Sequence, residues 1–120
     1  MKTYSVDPYS DFVINEYESL RSAMQSITRN RRRCIFVIND RTELLGVLTD
    51  GDIRRAILCG TPLTVCVGDA CNKAVKYIVD DGAPDLPDRS TEVFLKHPDI
   101  DAIPVVNTKL ILTHVICRLS

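Results

Sequence analysis

Residues 44 to 58 read LLGVLTDGDIRRAIL: an apolar run, the polar knot Thr49-Asp50-Gly51-Asp52, then an amphipathic stretch carrying Arg54 and Arg55. A helix opening at this knot presents free N–H groups, which attract anions. Asp50 and Asp52 stand in the same place and repel a phosphate, whereas two multidentate arginines one turn into the helix offset them. A structural role fits the same residues, because an N-cap followed by acidic residues in the first turn stabilises a helix without any ligand. Glu43, Asp50 and Asp52 invite a metal, but their spacing departs from the calcium-loop template.

Other chemistry-bearing residues are less organised. The run RNRRR (Arg29, Arg31, Arg32, Arg33) lacks aromatic neighbours, as a solvated helix end does, and it is within reach of a polyphosphate tail rather than of nucleic acid. His97 and His114 have no serine or cysteine partner at a catalytic spacing. The five cysteines form no Cys-x-x-Cys pair and lie mostly in apolar runs, as small hydrophobes do in a reducing compartment. Tyr4, Tyr9 and Tyr17 cover either the core or a partner surface.

The elements that hold these residues follow from periodicity. Phe12 to Ile14 predicts a short strand, Asn15 and Glu18 a capping box, and Leu20, Ala23, Met24 and Ile27 one buried helical face. The basic run falls where that helix should end. CIFVI (34 to 38) predicts a strand buried on both faces, and Asn39-Asp40 a turn into ELLGVL. Ile53, Ala56 and Ile57 predict a second helix, closed by Gly60 and Pro62.

From Thr61 the order recurs in weaker form: an extended LTVCV, a strand-like AVKYIVD, a helix over PDRSTEVFLKH stopped by Pro98, then AIPVV and KLILTHVI. IFVIN over IPVVN gives a shift of 68 positions (103 − 35), and Thr49 over Thr113 gives 64 (113 − 49), which makes the second turn four residues shorter. Residues 1–60 and 61–120 are then two motifs of one domain, each too small to bury much surface alone.

The order of buried strand, turn and Gly46-Val47-Leu48-Thr49-Asp50-Gly51-Asp52 at a helix entry resembles the CBS motif, two of which pair as a Bateman module. The resemblance implies an α/β (α+β) fold, a pseudo-two-fold pair of small sheets with flanking helices. It implies an adenosine-containing ligand, AMP, ADP, ATP or S-adenosylmethionine, with Asp52 accepting from the ribose hydroxyls and Thr49 touching sugar or phosphate. Carboxylate chemistry agrees, since one ionised carboxylate can accept from two neighbouring hydroxyls. Arg54 or Arg55 would meet phosphate, and Val13, Ile14, Ile35, Phe36 and Val37 would line the adenine slot. Over the 64-residue alignment Leu110 replaces Gly46 and Ile116 replaces Asp52, so at most one competent site is expected.

The net charge of −1 gives no global pull toward nucleic acid or an anionic membrane, and no apolar run reaches the length of a membrane span. A cytoplasmic location follows in this reading. The fragment carries no visible catalytic constellation. The resemblance is strongest to CBS pairs associated with sugar nucleotidyltransferases, which implies a regulatory module of a longer enzyme with an adjoining catalytic domain. The alternative is a ligand-free homodimerisation module with decayed sites.

Overall fold

The structure is a computed structural model that describes residues 4–7, 9–82 and 86–118. Helix α1 (Leu20–Asn30) buries Leu20, Ala23 and Ile27 on the face that the periodicity predicts. Its cap differs from expectation: Ser19 Oγ accepts the Ser22 N–H at 3.1 Å, while Asn15 Oδ1 accepts the Tyr17 N–H at 3.0 Å. Asparagine satisfies its own backbone two residues on and so forms a local turn instead of a capping box. Arg31 ends the helix in the left-handed conformation at φ 59, its N–H returning to the Ile27 carbonyl.

Two sheets hold the chain together. The first has the order β2 (Val13–Asn15), β3 (Cys34–Ile38), β4 (Leu44–Thr49); the second runs β1 (Tyr4–Asp7), β7 (Leu112–Arg118), β6 (Ala102–Val106), β5 (Ile78–Val79). Helix α1 joins the parallel pair β2 and β3, and α4 (Leu86–Lys96) joins the parallel pair β5 and β6. One apolar cluster lies between the first sheet, α1 and α2 (Asp50–Leu58). A second joins Phe12, Cys34 and Phe36 to Ala102, Val106, Val115 and Cys117, so the two sheets share a core.

The sheets repeat one another with a single register. Asn39 Oδ1 accepts from the amides of Arg41 and Glu43 at 2.9 and 3.0 Å, and Asn107 Oδ1 from those of Lys109 and Ile111 at 2.8 and 3.1 Å. Thr42 and Leu110 both take positive φ, 62 and 64. The turns also bond each other reciprocally, Leu44 N–H to Leu110 O at 3.1 Å and Leu112 N–H to Thr42 O at 2.9 Å. Cys34 pairs with Thr49 and Ala102 with Cys117, each partner 68 positions on (102 − 34 and 117 − 49).

That register corrects the alignment made on the two threonines. The turns are equal in length, so Thr49 corresponds to Cys117, Gly46 to His114, and Asp52 to Ser120, which lies outside the described residues. Leu110 corresponds to Thr42 and Ile116 to Leu48. Thr113 stands opposite nothing in the knot: its hydroxyl donates to the Val105 carbonyl at 3.1 Å from an exposed place on β7.

The leading segments are exchanged between the sheets. Strand β1, which periodicity does not predict, adds to the edge of β7. LTVCV forms no strand; it leads into the short α3 (Val67–Ala70), with Val67 fully buried in the cluster under α1. Leu20 N–H donates to Val65 O at 2.9 Å and Asn72 N–H to Val47 O at 2.8 Å, tying this segment to the first sheet. Only Ile78–Val79 of AVKYIVD is a strand. A Cβ on Gly46 would lie 2.7 Å from both Asn72 O and Cys71 Sγ, which is why the knot's entry strand carries glycine there.

Candidate functional site

The polar knot is a reciprocal cap. Thr49 Oγ1 accepts the Asp52 N–H at 3.1 Å, and Asp52 Oδ2 accepts the Thr49 N–H at 3.0 Å. Asp52 Oδ1 takes a charge-assisted bond from Arg55 Nη2, leaving the carboxylate with both oxygens engaged. Arg54 Nη2 stands 3.6 Å from Asp50 Oδ2 on an exposed face, a pair of little energetic weight. The entry to α2 is anchored to the loop before β3 by the Asp50 N–H on Arg33 O at 2.8 Å.

Beside this helix start lies a cleft of about 510 Å³. Thr49, Asp50, Gly51 and Arg54 form one part of its wall, with Arg32, Arg33, Cys34, Phe36 and Val47; the facing part is Ala74–Lys76 and residues 98–103. Four cations (Arg32, Arg33, Arg54, Lys76) and three carboxylates (Asp50, Asp99, Asp101) therefore share one opening with the apolar faces of Phe36, Val47 and Ile103. Such a mixture suits a ligand with a flat apolar part and a charged tail. The Cys34 thiol at the back is pushed up to about 12, by burial first and by the Asp101 carboxylate second, with Arg32 opposing. It is an inert thiol at neutral pH.

The structure brings Thr49, Arg54 and Phe36 to the cleft, together with Asp50 of the knot and Arg32 and Arg33 of the basic run. Asp52, Arg55, Ile14 and Ile35 do not line it. Ile35 is fully buried in the cluster under α1, because neighbours on a strand face opposite ways and Phe36 takes the cleft side. Ile14 belongs to the same buried cluster and borders only a shallow groove along α1. Val13 borders that groove too, and Val37 is fully buried with Ile35. Among the described residues no group of three or more His, Cys, Asp and Glu side chains stands close enough to hold a metal. Tyr17 is exposed, while the side chains of Tyr4 and Tyr9 lie outside the described residues.

Lys76, Asp99 and Asp101 escaped the sequence reading. The signal that finds them is the pair of asparagine turns: once Asn39 is set on Asn107, the loop before β6 falls opposite the arginine loop before β3.

Comparison with known proteins bears on the first motif and on the fold. Residues 6–59 match the CBS domain family model. The described chain has the fold of solved CBS-domain structures, two sheets with flanking helices. It superposes on Staphylococcus aureus OpuCA with a TM-score of 0.67, at 23% identity over 88% of this chain and 84% of that one. The cytosolic domain of the Mg2+ channel MgtE in complex with ATP gives 0.69 at 17% identity, over 98% of this chain and 46% of that one. CbpB in complex with c-di-AMP gives 0.67 at 14%, over 88% and 69%. Identities this low establish the fold. In sequence, an uncharacterized protein of Helicobacter pylori is 42% identical over 45 residues, 38% of this chain and 14% of that protein's length.

Proposed function

We propose that this chain is a non-catalytic regulatory module that binds an adenosine-containing ligand, AMP, ADP, ATP or S-adenosylmethionine, in the cleft beside Thr49. The observation that carries the reading is the cleft itself, in which the start of α2 and four cations adjoin an apolar wall. Bound ATP in MgtE and c-di-AMP in CbpB support it by analogy. In this reading the adenine lies against Phe36 and Val47, the Thr49 hydroxyl meets the sugar or phosphate, and Arg54 with Arg33 and Lys76 meets the tail. Asp52 stands off the cleft wall with both oxygens engaged, so in this reading it accepts the ribose hydroxyls only after Arg55 releases its Oδ1 and the carboxylate turns toward the cleft.

Residues 1–60 and 61–120 act as two motifs that exchange their leading segments, with one ligand per chain. From the resemblance to modules associated with sugar nucleotidyltransferases, we further propose that the chain belongs to a longer cytoplasmic enzyme whose adjoining domain it regulates. Titration calorimetry with AMP, ATP and S-adenosylmethionine tests the ligand: binding to the wild type that Asp52→Ala weakens by about tenfold or more supports the site. Absence of heat with all three, or equal binding by Asp52→Ala, overturns it.

A second reading, a homodimerisation module, rests on Ile57 and Leu58, which are 45% and 80% exposed at the end of α2. A monomer in sedimentation at high protein concentration would remove it.

A further inference from the structure

Arg118, at the end of β7, stands where the first half has Asp50, and the two make the same backbone bond: Asp50 N–H to Arg33 O and Arg118 N–H to Asp101 O, each at 2.8 Å. Their side chains do opposite things. The Asp50 carboxylate faces the cleft, whereas the Arg118 guanidinium turns onto the carboxyl end of α4 and gathers three carbonyls. Nε donates to Ile100 O at 3.0 Å, and Nη2 lies 2.9, 3.0 and 2.9 Å from Phe94 O, His97 O and Ile100 O. The charge also sits 4.7 Å above the Phe94 ring. A planar fork with several donors can satisfy helix-terminal carbonyls together, and a cation is favoured at that end of the helix dipole.

The clamped segment runs through residues 98–101, which belong to the far wall of the cleft. The carbonyl of Arg118 is itself held from the opposite side: Arg32 Nη1 donates to it at 2.6 Å. Arg32 lines the cleft. One continuous chain of bonds thus runs from a cation in the cleft, through the backbone and side chain of Arg118, to the loop that closes the cleft on its other side.

We propose that Arg32 and Arg118 form a latch that positions the loop between α4 and β6, so that an anionic ligand drawing Arg32 into the cleft loosens that loop and the end of β7. Both are positioning residues, and the part concerning the ligand rests on the nucleotide reading above. The mechanical part does not, and it is tested without any ligand.

Amide hydrogen exchange on the whole chain reads the latch at His97, Ile100 and Arg118, whose N–H groups bond Val93 O, His97 O and Asp101 O. Arg32→Gln, a substitution on a partly exposed loop, is expected to speed exchange at Ile100 and Arg118 by about tenfold, the loss of one charge-assisted bond, with Ala23 in α1 unchanged. Arg118→Gln is expected to speed all three amides more, and Arg118→Lys to restore protection only in part, since an ammonium lacks the planar fork. Unchanged exchange in Arg32→Gln, or full protection in Arg118→Lys, overturns the latch.

Adding ATP then separates the two readings. Faster exchange at Ile100 and Arg118 in the ATP-bound wild type, absent in Arg32→Gln, supports the coupling; bound ATP with no such change overturns it. No ATP binding at all, with the latch intact in the apo variants, removes the nucleotide reading and the coupling that rests on it while leaving the positioning role standing.

Discussion

Two equivalent places in the molecule have opposite fates. Ile14 pairs with Val37 and Ile78 with Val105 at matching points of the two sheets, which sets Phe12 in one half against Lys76 in the other. Lys76 is exposed at the lip of the open cleft. Phe12 is 6% exposed and packs in one apolar cluster with Cys34 and Cys117, the counterpart of Thr49. Around it the chain is stitched shut: Asn30 Nδ2 donates to Asp11 O and to Cys34 O, both at 3.0 Å, and Arg32 reaches Arg118 O. The same backbone plan makes a cleft where its wall residues are polar and a core where they are apolar.

The sharpest way to break this comparison is to exchange the roles of Phe12 and Lys76. Removing a buried aromatic ring loses its transfer free energy and leaves a cavity, so Phe12→Ala is expected to cost about 4 kcal/mol. Lys76→Ala, at the exposed counterpart, is expected to stay within about 0.5 kcal/mol. Urea unfolding of both variants measures the difference. Equal midpoints would mean that the place around Phe12 is not closed by its apolar cluster.

Gly46 and His114 give the next largest contrast. Gly46 passes so close to the segment after α3 that Asn72 O and Cys71 Sγ occupy the space of a Cβ, while its counterpart on β7, His114, carries an imidazole. Asn72 and Val47 exchange both backbone bonds, at 2.8 and 2.9 Å, so the segment cannot retreat without losing them. Gly46→Ala is therefore expected to destabilise by about 2 kcal/mol through overpacking, with loosened exchange at the Asn72 amide as its local signature. A neutral Gly46→Ala would show that the contact yields freely.

Much of this asymmetry was written in residue types and some of it was not. The helical face of Leu20, Ala23 and Ile27, the doubly buried CIFVI and the helix before Pro98 were legible because burial imposes a period that a single chain displays. The register of the repeat was misread because matching one threonine to another follows chemistry. Backbone register follows hydrogen bonding, and the informative pair was Asn39 and Asn107, which build identical turns. Strand β1 was invisible because pairing with β7, distant in sequence, makes it a strand. The far wall of the cleft was missed for the same reason: residues 98–103 meet Thr49 only through the packing of two sheets. Ile35 was assigned to the cleft beside Phe36, although strand alternation forbids both from facing it.

The smallest contrast concerns the two threonines that first suggested the repeat. Thr49 closes the reciprocal cap of α2, satisfying an amide that would otherwise lack a partner at the helix start, and Thr49→Ala is expected to cost about 1 kcal/mol. Thr113 donates from an exposed strand position to a carbonyl already in a ladder, and a surface change of that kind stays within about 0.5 kcal/mol. Calorimetry extends the contrast to function. A hydroxyl at the cleft that contacts the ligand makes Thr49→Ala weaken ATP binding by more than its stability loss explains at temperatures where the variant remains folded. Thr113→Ala should bind as the wild type does. If the two variants lose affinity equally, the effect is general softening of the sheets, and the assignment of Thr49 to the ligand falls even though its capping role survives.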